Sequence, residues 1–132
     1  MASYRVRNGP ITASDSFTNL GNLYGQSTSS AVQVPAGCSA IVGIVATVSQ
    51  NGATADNCTF AVQLTGDGLS EQQTLTIGSA TNVGTETSDG TTNLPIALDV
   101  AIPCTPSNQV SIAGAMDADM GEAQMSVTLV FA

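Results

Sequence analysis

The sequence predicts an all-β domain, an antiparallel β-sandwich or jelly roll with an extended N-terminal arm. Three observations lead there. Residues 41–48, Ile-Val-Gly-Ile-Val-Ala-Thr-Val, are rich in β-branched side chains that resist a helix and favour an extended strand. Ile96, Leu98, Val100 and Ile102 alternate with Ala97, Asp99 and Ala101 at the two-residue period of a half-buried strand. Turn-forming Gly, Pro, Asn and Asp separate such runs, and nowhere do apolar residues recur at helical spacing over a useful length.

Taken in order, residues 1–31 read as the arm and 32–132 as a single sandwich domain. In the arm, Tyr4 and Val6 alternate with Ser3, Arg5 and Arg7, the pattern of a short strand. A long polar stretch follows, interrupted by Phe17, Leu20, Leu23 and Tyr24. Those four are too few for a core of their own and too many for a plain linker, so the arm lies either over its own domain or over a neighbour. Val32 opens the body, and Pro35-Ala36-Gly37 turns it. The strand at 41–48 is apolar in both side-chain directions, which places it mid-sandwich or under a subunit neighbour. Gly43 within it suggests that another backbone or a bulky side chain approaches there.

Asn51-Gly52 is a strong hairpin signal, since both residues accept positive φ. The chain returns over 58–64 with Phe60, Val62 and Leu64 on one face, then turns at Thr65-Gly66-Asp67-Gly68. Leu75–Ile77 marks a short strand. Residues 78–93 hold too little apolar surface to offset their ordering entropy and read as a long exposed loop. Pro103 and Pro106 stop the alternating strand at 96–102, Val110 and Ile112 begin another, and Met125, Val127, Leu129 and Phe131 form one face of the last. The count is seven or eight strands of ordinary length. At 132 residues such a domain buries roughly two-thirds of its unfolded surface.

Charge narrows the partners. Ten acidic residues stand against two basic ones, and both cations, Arg5 and Arg7, lie in the arm. From Asn8 onward ten carboxylates meet no cation, a formal charge of -10 that repels phosphate backbones and anionic membranes. Neither nucleic acid nor a membrane is an expected partner. No apolar run approaches the roughly 20 residues of a membrane span, and no secretory leader is expected from the opening residues. Only 9% of residues are charged, which suits a surface partly covered in an assembly.

The chemistry of catalysis is sparse. Without His or Lys, the common general bases, Schiff-base chemistry and Ser-His-Asp or Cys-His arrangements are excluded. Neither a G-x-S-x-G elbow nor a G-x-x-x-x-G-K-[ST] loop occurs. A carboxylate pair working on sugars would need aromatic platforms, and there is no Trp with only two Tyr and three Phe. An enzyme is therefore not expected, and no cofactor is implied. Asp117-x-Asp119-x-x-Glu122 is the best cluster for a hard cation, yet it lacks the calcium-loop pattern and reads as a solvated turn, so no metal site is expected. Cys38, Cys58 and Cys104 form no C-x-x-C pair; they read as small buried hydrophobes, or as one disulfide with one cysteine left over. Asn57-Cys58-Thr59 matches a glycosylation sequon and is taken as chance.

Val34-Pro35-Ala36-Gly37 before an aliphatic strand, Leu64-Thr65-Gly66-Asp67-Gly68-Leu69, and the closing Val127-Thr128-Leu129-Val130-Phe131 resemble the arrangement in small phage capsid proteins. Over residues 32–132 the chain resembles the decoration, or cement, proteins on the heads of tailed bacteriophages. That resemblance implies a β-sandwich or jelly-roll body, often trimeric, whose arm clasps the major capsid protein. It also implies a place on the outer capsid surface after synthesis in the host cytoplasm. No catalytic residue is carried over. On this reading Tyr4, Arg5, Val6, Arg7, Phe17, Leu20, Leu23 and Tyr24 are the capsid-docking residues, and a homotrimer buries the surface around residues 41–48. The alternative is a carbohydrate- or receptor-binding sandwich of a virion fibre or surface protein, which the aromatic content of 4% disfavours.

Overall fold

In the computed structural model, residues 2–11, 17–21, 31–51, 58–80, 91–116 and 122–132 are described, and they form nine strands and no helix. These are β1 (Ser3–Ile11), β2 (Thr18–Asn19), β3 (Ala31–Gln33), β4 (Ala40–Asn51), β5 (Cys58–Thr65), β6 (Gln73–Ala80), β7 (Thr91–Pro103), β8 (Gln109–Met116) and β9 (Glu122–Phe131). One sheet runs β1-β9-β4-β7; the other runs β2-β8-β5-β6, with β3 also on β8. Every pairing is antiparallel.

The pairings are nested. β5 meets β6, β4 meets β7, β3 meets β8 and β1 meets β9, as in one long hairpin. Rolling that hairpin over itself creates the remaining contacts, β4 with β9 and β5 with β8. This is a jelly roll, and the β-sandwich expected from the alternating strands is present. Rolling also explains one correction. The hairpin expected at Asn51-Gly52, whose Gly52 lies outside the described residues, would pair β4 with β5; these strands belong to different sheets, because both edges of β4 are already taken by β7 and β9. A turn dipeptide sets local backbone; which strands then pair is decided by burial across the whole domain.

The core lies between the sheets. Ile41, Ile44, Val48, Met125, Val127, Leu129 and Phe131 of the first sheet meet Val32, Phe60, Val62, Leu64, Val110 and Ile112 of the second, each at most 2% exposed. Close approach of the sheets is needed at Gly114, where a Cβ would stand 2.6 Å from Met125 Sδ and 3.2 Å from Ile11 Cγ2. At one end of the sandwich the turn at residues 65–68 and the turn between β7 and β8 lock together. The Gly68 N–H donates to Gln109 O at 2.8 Å, the Gln109 N–H to Asp67 Oδ1 at 2.9 Å, and the Thr105 N–H to Gly68 O at 2.9 Å. Gly66 there has φ +123°, and a Cβ on it would meet Gln109 O at 2.5 Å, so no other residue fits.

One further expectation is corrected. Gly78–Ala80 belong to β6 and Thr91–Asn93 to β7, so the loop read over 78–93 is shorter at both ends. Ladder bonds to β5 and β4 order these polar residues, a contribution that apolar content does not reveal. The described part of the arm lies over its own domain, one of the two placements that the sequence leaves open. β1 pairs with β9 along its whole length, from Ser3↔Phe131 to Ile11↔Ala123. Ile11 and Leu20 are 1% and 0% exposed within the core cluster. Of the four apolar residues that interrupt the polar part of the arm, Leu20 enters the core and Phe17 is half-buried, while Leu23 and Tyr24 lie outside the described residues.

Candidate functional site

The outer face of the first sheet is built from three rows that cross its strands. Cross-strand partners share a face, so Tyr4, Val130, Gly43 and Asp99 make the first row. Val6, Thr128, Val45 and Ala97 make the second, and Asn8, Ser126 and Thr47 the third. Asp99 is the one charge in these eleven positions. Tyr4 is 60% exposed, Val45 39% and Val42, in the bulge beside Gly43, 38%. These are the exposed large apolar side chains among the described residues, and all three are on this sheet. The outer face of the other sheet carries Thr76, Ala61 and Ala115 in one row and Thr74, Gln63 and Ala113 in the next, small or uncharged polar groups.

A bulge between Ile41 and Gly43 produces the two-sided strand. It resets the alternation, so that Ile41, Ile44, Ala46 and Val48 all point inward, while Val42 and Val45 look out. Among the described residues the strand therefore packs into the core on one face, and Val42 and Val45 are exposed on the other. Gly43 does lie beside a bulky side chain: an added Cβ would be 3.4 Å from Val130 Cβ and Cγ2. That is ordinary contact, so space alone does not require glycine there.

The eight residues expected to dock a partner separate into groups. Tyr4 and Val6 join the apolar rows. Arg5 is exposed, and its guanidinium donates to Tyr4 O at 2.8 Å. Arg7 is half-buried and donates to Val6 O and, across the sandwich edge, to Ala31 O, both at 2.8 Å. It fastens β1 of one sheet to β3 of the other, with Nε buried and without an acceptor. Phe17 is half-buried and Leu20 is core. Leu23 and Tyr24 lie outside the described residues, as do Asp117, Asp119 and the Glu122 side chain. Among the described residues no cluster of three or more His, Cys, Asp or Glu is placed to hold a metal ion.

Val130 was missed as a surface residue. Its signal was present: Leu129-Val130-Phe131 is apolar at three consecutive positions, the mark of a strand with two apolar faces.

The fold has a counterpart over nearly its whole length. The globular domain of zebrafish complement 1qA protein matches with a TM-score of 0.52 at 12% identity, covering 98% of this chain and 94% of that one. At that identity the likeness concerns the fold, a jelly-roll β-sandwich. A structure of infectious bursal disease virus, Gx strain, has a TM-score of 0.46 at 8% identity, covering 98% of this chain and 32% of that one. Eiger TNF from S. frugiperda has a TM-score of 0.41 at 10% identity, covering 96% and 90%. Scores this low add nothing to the assignment. No protein-family model and no curated protein matches the chain.

Proposed function

We propose that this chain is a structural protein that decorates the outer surface of a viral head and stabilises it, acting as a homotrimer. The observation that carries the assembly is the outer face of the first sheet, where Tyr4, Val42 and Val45 are exposed in rows containing a single charge, Asp99. An apolar face of this kind stays in water only at a cost, and a second copy of the chain covers it with the same apolar rows. Covering each valine adds about 1 kcal/mol, and Tyr4 adds more. The capsid as partner rests on the resemblance of residues 32–132 to phage-head decoration proteins. Arg5, exposed and without a carboxylate among its bonded partners, is the cation left to meet that partner; Arg7 is engaged within the fold.

The test is co-sedimentation with shells assembled from the major capsid protein encoded in the same genome. Saturable binding at three chains per site, weakened by salt and by Arg5→Glu, is the expected result. Failure to bind immature or expanded shells, with the chain itself trimeric, would sink the capsid reading.

A further inference from the structure

Two buried thiols lie on neighbouring stretches of chain at the end of the sandwich where the described turns gather. Cys38 follows the Pro35–Gly37 turn and Cys104 follows β7; they are 4% and 9% exposed, and neither is bridged. The Cys104 N–H donates to Ser39 O at 2.9 Å, extending a ladder that pairs Ala40 with Pro103 and Ile41 with Ile102. Cys38 thus sits one residue out of register with Cys104, across a single gap between strands. Strand spacing and rise put their Cα atoms roughly 6 Å apart, within the span of roughly 4.4–6.8 Å that disulfides use. The regular strands end at Ala40 and Pro103, so strict alternation ends there too: Ser39 is exposed, while Cys38 and Cys104 both belong to the buried core cluster. Burial raises the Cys104 pKa, and the adjacent Cys38 raises it further. Cys58 opens β5 at the opposite end of the sandwich, roughly 20 Å away along that strand.

We propose that Cys38 and Cys104 form a redox pair, which a small two-electron oxidant of the peroxide class joins into a disulfide tying the β3–β4 connection to the β7–β8 turn. One thiol ionises and its sulfur attacks a peroxide oxygen. The O–O bond breaks, hydroxide leaves, and the released proton converts it to water. The second sulfur attacks the resulting sulfenic acid, the S–O bond breaks, and that thiol's proton departs with the hydroxyl as a second water. Two thiols lose two electrons and the peroxide gains them. The bridge closes a loop containing β4 to β7, which restricts the unfolded chain. The pair needs neither a capsid nor a second copy of the chain.

The experiment treats the purified full chain with hydrogen peroxide and maps the product by mass after cleavage at Asp and Glu. A Cys38–Cys104 cross-linked peptide is expected, with Cys58 still open to alkylation. The melting temperature should rise by roughly 10 °C and fall back under a thiol reductant. Bridging should quicken as pH rises, because the Cys104 thiol is held protonated at neutral pH. Cys58→Ser should bridge like the parent, and Cys38→Ser or Cys38→Ala should not. If those two variants do not fold, the map from Cys58→Ser decides alone. A bridge through Cys58, a bridge between chains, or oxidation to sulfinic acid without a bridge would overturn the pairing.

Discussion

Removing residues 1–21 should abolish the folded domain, and single truncations inside that segment show why. Leu20 and Ile11 are 0% and 1% exposed, and Ile11, like Met125 of the same sheet, reaches across the sandwich towards Gly114. Truncating a fully buried Leu or Ile to Ala costs about 2–5 kcal/mol, the transfer of the lost methyls plus the cavity left behind. For a domain of this size that is a fall of roughly 10 °C in melting temperature for Leu20→Ala or for Ile11→Ala. Deleting the whole segment also strips β9 of its ladder partner from Ser3 to Ile11 and uncovers the edge beside Phe131, Leu129 and Val127. Together these losses reach the whole of a typical stability of about 5–15 kcal/mol. Thermal unfolding followed by far-UV circular dichroism, at one fixed protein concentration, reads each effect. A deletion variant that melts at the parent temperature would refute the reasoning and restore a separable arm.

Three further substitutions probe the turns and the sheet contact. Gly66→Ala should destabilise by about 2–3 kcal/mol, since it combines strained φ with a clash on Gln109 O, and urea denaturation would show it. Gly114→Val should cost about 1–3 kcal/mol by forcing Met125 and Ile11 aside, and a near-neutral result would mean that the sheets are not packed closely there. Ser107 has φ 70° in the turn closed by the Asn108 N–H to Thr105 O bond; Ser107→Gly should raise stability by about 0.5–1 kcal/mol in the same denaturation assay.

How much of this was legible depends on where each signal resides. Phe60, Val62 and Leu64, and Met125 to Phe131, announced their buried faces because a two-residue period is a property of the strand alone. The turn at Thr65 to Gly68 was equally local. The partner of each strand was not local. Nothing in Asn51-Gly52 says that β7 and β9 will occupy both edges of β4, and nothing near Ser79 or Thr92 says that a ladder will order them. The apolar surface was half-read. The run at 41–48 showed that two faces were apolar, but the bulge that turns Val42 and Val45 outward while keeping Ile41 and Ile44 inward is invisible to periodicity. The anchoring of Arg7 within the fold was illegible for a related reason: its acceptor, Ala31 O, is a backbone group 24 residues away on the other sheet.

The most direct test of self-association through the first sheet is the mass of the purified chain by sedimentation equilibrium, beside that of Val45→Glu. Val45 points away from the core, so the variant should keep its fold while placing like charges against one another in the assembly. The expected masses are about 40 kDa for the parent, three times 13.2 kDa, and the single-chain value for the variant. A parent chain that sediments at 13.2 kDa at micromolar concentration would contradict the account.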